Sequence, residues 1–218
     1  MSKTSINAAI PLTPSVLRWA RETSGLSPEE VAVKLKRKTV TAETIAEWER
    51  GEGAPTYAQL ESLAYDVYKR PLALFFFPEP PEEKTPRQAF RTLPDQEIRK
   101  ITPRLRYLLR QAQVRQIFLE ELNTDTPVPS RHLLRDLRFH EPISVAEMAK
   151  QVRDFLGISI ETQANWRNVD EAFKQWRDSL ERNGVYVFKE AFKDETISGF
   201  CLFDERYPVI FVNNSKPD

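Results

Sequence analysis

The sequence predicts a mainly α-helical protein that ends in a small antiparallel β-sheet, an α+β fold. Apolar residues recur at helical spacing through most of the chain, and Ser or Thr residues suited to helix N-caps precede several of these segments. After Gly184 the apolar residues become β-branched and aromatic, in three short runs at 185–188, 197–203 and 209–212. A tight connection joins the last two runs, so we expect the strands to pair in antiparallel fashion.

A proline-rich segment, Pro78-Glu79-Pro80-Pro81, divides the chain into two parts. A chain of 218 residues has room for one small helical domain and a larger second domain, each with its own core. We therefore expect a helical domain at 12–77, a linker at 78–97, and a region of helices and strands at 98–218.

The composition of the chain argues against several classes of protein. The formal net charge is zero, which argues against a protein that coats nucleic acid over its whole surface. Cys201 is the only cysteine, so no intrachain disulfide is expected. The first residues lack a signal-peptide pattern, and no apolar run approaches membrane-spanning length. These observations predict a cytoplasmic protein with no membrane partner.

In the first domain, capping residues predict where the helices begin and end. Ser27 and Glu30 are spaced as a capping box, and Thr41 suits the N-cap of the next helix, which Gly51 should end. Two short helices joined by a turn, with further helices on either side, describe a helix-turn-helix domain.

The same residues carry a family resemblance. The segment 26–64, with Glu49-Arg50-Gly51 near its centre, resembles the helix-turn-helix domain of Cro/C1 repressors, the XRE family. The following segment 70–78, Arg-Pro-Leu-Ala-Leu-Phe-Phe-Phe-Pro, resembles the version fused to zinc metallopeptidases of the ImmA/IrrE family. The resemblance implies binding to double-stranded DNA.

The candidate DNA contacts lie in the turn and at the start of the second helix of the motif. Cationic side chains suit phosphate contacts, and the threonine inside the helix should lie nearest the base edges. Glu43 and Glu47 on this helix would repel phosphate, and Pro28 replaces the Gln usual in related repressors. DNA binding and protein binding therefore both remain open. The candidates are Lys36, Arg37, Lys38, Thr39, Thr41 and Thr44.

A long helix is expected to follow residue 98, and it is strongly basic. Nine Lys and Arg residues and only two acids lie between Lys84 and Arg115. Arg99, Arg106 and Arg110 can share one face and are candidate contacts to phosphate or to a partner. The alternative is a solvated helix face that acids elsewhere balance.

The C-terminal segment 197–214 resembles the sheet that precedes the active-site helix of ImmA/IrrE peptidases. In that family a His-Glu-x-x-His helix follows and binds zinc. The motif is absent from this sequence, so we assign no catalytic or metal-binding residue and expect no activity and no cofactor for the 218 residues; zinc would require a downstream segment. His132 and His140, the only histidines, are interpreted as ordinary polar residues.

Three functional hypotheses follow. The first is a helix-turn-helix transcriptional regulator of a mobile-element, toxin-antitoxin or stress-response system. The second is the N-terminal fragment of a zinc metalloendopeptidase that cleaves a repressor or an antitoxin. The third is a protein-interaction module without DNA binding, whose partner is a repressor, an antitoxin or another protein.

Absence of the family's active-site helix would leave apolar surface beside the sheet. We expect helices at 145–156 and 173–180 to pack on the sheet, and a second copy of the chain or a partner to cover the remaining face. Phe200, Phe203 and Phe211 are the candidate contacts in such a homo-oligomer or complex.

Overall fold

A computed structural model describes residues 12–83, 98, 101–125, 131–140 and 142–215. The chain divides into two compact units, Met1–Tyr107 and Leu108–Asp218. Their described parts are mainly helical, with one three-stranded sheet near the C-terminus, which confirms the α+β fold class. Most of the expected linker, 84–97, lies outside the described residues, and the domain limits stay a prediction.

The first unit is a bundle of short helices. A widened, π-helical turn, Leu63–Tyr68, continues the fourth helix, and a 3-10 helix, Leu72–Phe76, follows it. The four α-helices are α1 (Pro14–Ser24), α2 (Pro28–Leu35), α3 (Ala42–Arg50) and α4 (Tyr57–Ser62).

The helix boundaries of this unit follow from local sequence. Ser27 and Glu30 form the expected capping box, in which the Ser27 hydroxyl accepts from the Glu30 amide and the Glu30 carboxylate accepts from the Ser27 amide. Thr41 caps α3 as expected. Gly51 ends α3 with φ of 79°, a conformation that a Cβ would strain.

Each helix of the first unit contributes at least one fully buried side chain to a common core. Ala20, Val31, Ile45 and Leu60 come from α1, α2, α3 and α4, and Phe75 adds an aromatic ring from the 3-10 helix. The Thr13 amide donates to the Phe75 carbonyl at 3.0 Å, which holds the start of α1 against that helix. Burial of these side chains, at about 1.5–3 kcal/mol for each large one, supplies the main stabilisation of the unit.

The remaining helices are mostly in the second unit. Helix α5 (Pro103–Leu122) begins in the first unit and continues into the second. It is followed by α6 (Leu133–Asp136), α7 (Val145–Leu156), α8 (Ile160–Ala164) and α9 (Val169–Arg182).

The sheet is mixed, not wholly antiparallel as the sequence suggested. Its strands are β1 (Tyr186–Glu190), β2 (Gly199–Leu202) and β3 (Val209–Asn213), in the order β1-β3-β2. β2 and β3 pair in antiparallel fashion as expected, but β1 pairs with β3 in parallel. β3 is the most apolar strand, and in its central position one face is buried and the other, with Ile210 and Val212, is half-buried.

Two of the three phenylalanines expected at a partner surface are instead part of the core. Phe211 is fully buried, and Phe200 stacks on it with ring centroids 5.1 Å apart. Only Phe203, beyond the end of β2, is exposed, with 70% of its surface accessible. The expectation that Phe200 and Phe211 contact a partner is therefore wrong, because strand alternation turns both rings inward.

Helix α9 packs on β1, as expected for the 173–180 helix. The Ser179 hydroxyl donates to the Leu156 carbonyl at 2.6 Å and so joins α9 to the end of α7. On α5, the Gln116 amide donates to the carbonyls of Leu202 and Tyr207, at 3.2 and 3.1 Å, and closes the β2–β3 hairpin.

Candidate nucleic-acid interface

The turn between α2 and α3 presents a row of polar side chains to solvent. Lys36 ends α2 in the left-handed conformation, with φ of 52°, and its amide donates to the Val33 carbonyl. The Val40 amide donates to the Arg37 carbonyl at 3.0 Å, and the Val40 side chain is buried in the core. The turn is thus anchored at both ends while its intervening side chains, Lys36, Arg37, Lys38 and Thr39, are all exposed.

Lys36, Arg37 and Lys38 are the three cations of this turn. Within the residues that the structure describes, the side chains of Lys36, Arg37 and Lys38 form no hydrogen bond or ion pair, and Lys34 on the last turn of α2 extends the cluster. An anion could therefore bind here without breaking an existing ion pair.

Thr41 and Thr44 are committed to the N-terminus of α3. Each hydroxyl accepts the other residue's amide at 3.3 Å, and the two hydroxyl oxygens lie 3.1 Å apart. One hydroxyl hydrogen is used in the bond between them, so one remains available to an external acceptor. Thr41 is exposed and Thr44 half-buried, which leaves Thr41 the more accessible of the two.

Arg50 was not among the residues that the sequence pointed to, although it changes the electrostatics of α3. Its guanidinium binds Glu43 at 3.0 Å and Glu52 at 2.8 Å. The hydrogen bonds to Glu43 and then to Glu52 raise the pKa of Arg50. The two-turn spacing of Glu43 and Arg50 on one helix is the sequence signal for this contact. The pairing partly neutralises the carboxylate that would repel phosphate.

Glu49, on the same helix, faces the interior. Its carboxylate forms a two-point contact with the Arg21 guanidinium of α1, and the hydrogen bonds to Glu49 raise the pKa of Arg21. Of the acids on α3, only Glu43 and the half-buried Glu47 therefore remain near the surface. The Arg21–Glu49 contact also fixes the orientation of α3 relative to α1.

The basic residues of the long helix do not form an open cationic face. Arg99 lies outside the described residues, and both Arg106 and Arg110 are half-buried. The Arg106 side chain packs over Gly25, where an added Cβ would come within 2.8 Å of its Cδ. Burial lowers the pKa of Arg106. A role of these arginines in phosphate or partner contacts stays a prediction.

Neither a metal site nor a membrane-spanning helix is found in the described part of the chain. No group of three or more His, Cys, Asp or Glu side chains there is arranged to hold a metal ion. His140 is exposed, whereas His132 is buried at 2% accessibility. Among these residues, no helix combines the length and the apolar character needed to cross a membrane.

Comparison with known proteins supports the assignment of a helix-turn-helix domain in the first part of the chain. Residues 15–74 match the family model of a helix-turn-helix domain, which confirms the helix-turn-helix part of the expected resemblance. No curated protein and no solved structure matches the chain. The resemblance of the second part to ImmA/IrrE peptidases therefore remains a prediction.

Proposed function

We propose that the protein is a DNA-binding regulator whose helix-turn-helix domain places α3 in the major groove. The match of residues 15–74 to a helix-turn-helix family carries this proposal. The exposed cations of the α2–α3 turn, which form no ion pair with any residue that the structure describes, support it, because they lie where the chain enters the second helix of the motif.

Each part of this surface has a distinct role in the proposed complex. Lys36, Arg37 and Lys38 bind phosphates flanking the groove and supply affinity that falls with added salt. The free hydroxyl hydrogen of the Thr41–Thr44 pair donates to a phosphate or a base edge. Arg50 holds Glu43 and so limits its repulsion of the backbone.

Affinity for a generic duplex, measured by fluorescence anisotropy at several salt concentrations, tests the proposal. The Lys36→Gln/Lys38→Gln protein should bind more weakly at every sequence. Its plot of log affinity against log salt should be flatter by about two units, because each lost phosphate contact removes about 0.9. The control is Arg167→Gln/Arg182→Gln, which removes the same charge from two exposed positions in the second unit and should leave the slope unchanged.

A protein-binding role is the second candidate, favoured by the carboxylates of Glu43 and Glu47 on α3. If the wild-type chain shows no salt-dependent affinity for DNA at low ionic strength, the DNA-binding proposal fails. Loss of a basic protein partner on Glu43→Gln/Glu47→Gln substitution would then support the alternative.

The peptidase hypothesis and the type of regulatory system rest on resemblance alone. A His-Glu-x-x-His motif encoded in frame beyond residue 218 would favour a zinc peptidase that acts on a repressor or an antitoxin. Its absence from the reading frame would leave the regulatory hypothesis.

A further inference from the structure

The second unit contains a cavity of about 430 Å³ that none of the functional hypotheses uses. It is formed by α6 with the residues on either side of it and by the connection between β2 and β3. Leu134 and Phe203 give it an apolar wall, and Arg138, Glu205 and Arg206 give it charge. Cavities of 300–1,000 Å³ with an apolar lining and a few polar groups are typical of small-molecule sites.

A buried histidine with unsatisfied ring nitrogens lines this cavity. His132 is 2% exposed, and within the described residues neither Nδ1 nor Nε2 has a hydrogen-bond partner. Its backbone amide donates to the Asp136 carboxylate at 2.8 Å, so only the ring is unsatisfied. A buried polar group left in this state costs about 1–3 kcal/mol, and a ligand acceptor that binds the protonated ring nitrogen would offset part of it.

The charges around the cavity favour a single negative charge in the ligand. Arg135 also lines the cavity, and it binds Asp136 at 2.5 Å. Arg138 and Arg206 form no ion pair within the described residues, and Glu205 is the only acid in the lining. With Arg135 offset by Asp136, two cations and one acid leave an excess of one positive charge.

We propose that this cavity binds a small carboxylic acid with a planar, apolar body. Arg138 and Arg206 hold the carboxylate, the imidazole of His132 donates a hydrogen bond to it, and Phe203 and Leu134 contact the body. A monoanion matches the excess charge of the lining, and Phe203, with 70% of its surface exposed, provides a ring that a planar molecule would cover. This inference does not depend on DNA binding.

Titration of the full chain with benzoate tests the proposal, with the imidazole signals followed by NMR. The chain has only two histidines, so exposed His140 is an internal reference. The His132 signals should shift and saturate while those of His140 stay in place. Benzamide, a neutral molecule of nearly the same shape, should bind at least about tenfold more weakly, since it lacks the charge-assisted bonds.

Three variants and one control identify the contacts. Arg138→Gln and Arg206→Gln should each weaken benzoate binding by about fivefold or more, whereas Arg167→Gln, at an exposed position outside the lining, should not. Phe203→Ala should weaken the binding of benzoate, and it should not strengthen the binding of benzamide. Circular dichroism of each variant separates loss of binding from loss of fold.

Three results would overturn the proposal. The first is no saturable His132 shift up to ~10 mM benzoate, which would mean affinity below any useful range. The second is equal binding of benzamide, which would remove the role of charge. The third is tighter binding of inorganic phosphate than of benzoate, which would make the cavity an anion site without an organic ligand.

Discussion

Glu49 on α3 and Arg21 on α1 form a two-point ion pair in which the carboxylate is buried and the guanidinium partly buried, with Oε1 2.7 Å from Nε and Oε2 2.9 Å from Nη2. Arg21 also donates to the Leu26 carbonyl at 3.1 Å, and Arg18 donates to the Glu49 carbonyl at 3.1 Å. The second helix of the motif is thereby tied to the helix before the motif at both its side chain and its backbone.

Removal of one partner of this pair should strongly destabilise the first unit. Arg21→Ala leaves the buried Glu49 carboxylate with only the longer contact to Arg18, at 3.8 Å, and we expect a loss of about 3 kcal/mol in the free energy of unfolding, the low end of the range for a broken buried pair. Glu43→Gln is the control, because the Glu43–Arg50 pair is exposed and should contribute less than about 1 kcal/mol. Urea unfolding followed by tryptophan fluorescence measures both values.

Simultaneous replacement of both partners distinguishes two causes of destabilisation: the cost of an unpaired buried charge and the loss of side-chain packing. Arg21→Met/Glu49→Leu should be less destabilised than Arg21→Ala, because no unpaired charge remains. If the double variant is as unstable as Arg21→Ala, the pair does not act through its charges and this account is wrong.

The helix-turn-helix part of the fold could be predicted because its signals are local. Ser27 and Glu30 are three residues apart, and a capping box of this kind needs no knowledge of the tertiary structure. Arg21 and Glu49 are separated by 28 positions, and nothing in their spacing indicates that they meet. The N-cap of α3 therefore has a local sequence signal, whereas the ion pair that anchors α3 to α1 has none.

In the second unit, too, contacts between distant positions could not be predicted from the sequence. The strands could be predicted from their composition, but the parallel pairing of β1 with β3 depends on where the chain returns to the sheet. His132 and Gly184 lie in contact across 52 positions, so the cavity beside His132 had no sequence signal. Local patterns give elements, whereas sites that several elements build together require the tertiary structure.

Gly184 is expected to tolerate alanine worse than Gly157 does, although both have positive φ. Their φ values are 79° and 70°. At Gly157 a Cβ meets nothing within 4 Å, so Gly157→Ala should cost only the backbone strain, about 1–2 kcal/mol. At Gly184 it would meet the His132 ring, 2.7 Å from Nε2, so we expect a larger cost.

Thermal unfolding of the two variants measures this difference. His132→Ala should remove part of the extra cost in the Gly184→Ala background, because it opens the space that the Cβ needs. Equal melting temperatures for Gly157→Ala and Gly184→Ala would contradict the close contact.

Asn213 should be far more sensitive to aspartate than its neighbour Asn214. The buried Asn213 amide donates to the carbonyls of Asp194 and Ile197, at 2.8 and 2.7 Å, and its Oδ1 accepts from the Phe192 amide at 3.1 Å. Asn213→Asp removes both donated bonds and places a carboxylate against two carbonyl oxygens. We expect a loss of about 3 kcal/mol in the free energy of unfolding.

Asn214→Asp provides the matched control, since that side chain is exposed and should change stability by less than about 0.5 kcal/mol. Urea unfolding at pH 7 compares the two. Similar small losses in both variants would mean that the hydrogen bonds of Asn213 do not stabilise the connection between β1 and β2.

The contribution of Asp136 to stability should depend on pH. The Arg135 guanidinium, and then the backbone amide of His132, hold the pKa of the Asp136 carboxyl well below its usual range. An unfolded Asp has a pKa of about 3.9, so the stabilisation is complete above that value and is lost as the pH falls toward the lower folded pKa.

Asp136→Asn removes the titrating group while it keeps an oxygen that can accept from the His132 amide. We therefore expect the difference in urea midpoint between wild type and Asp136→Asn to be largest near pH 6 and to shrink steadily toward pH 2, with other titrating groups cancelling in the comparison. A difference that stays constant over this range would show that folding does not lower the pKa of Asp136 and that its contact with Arg135 does not stabilise the folded chain.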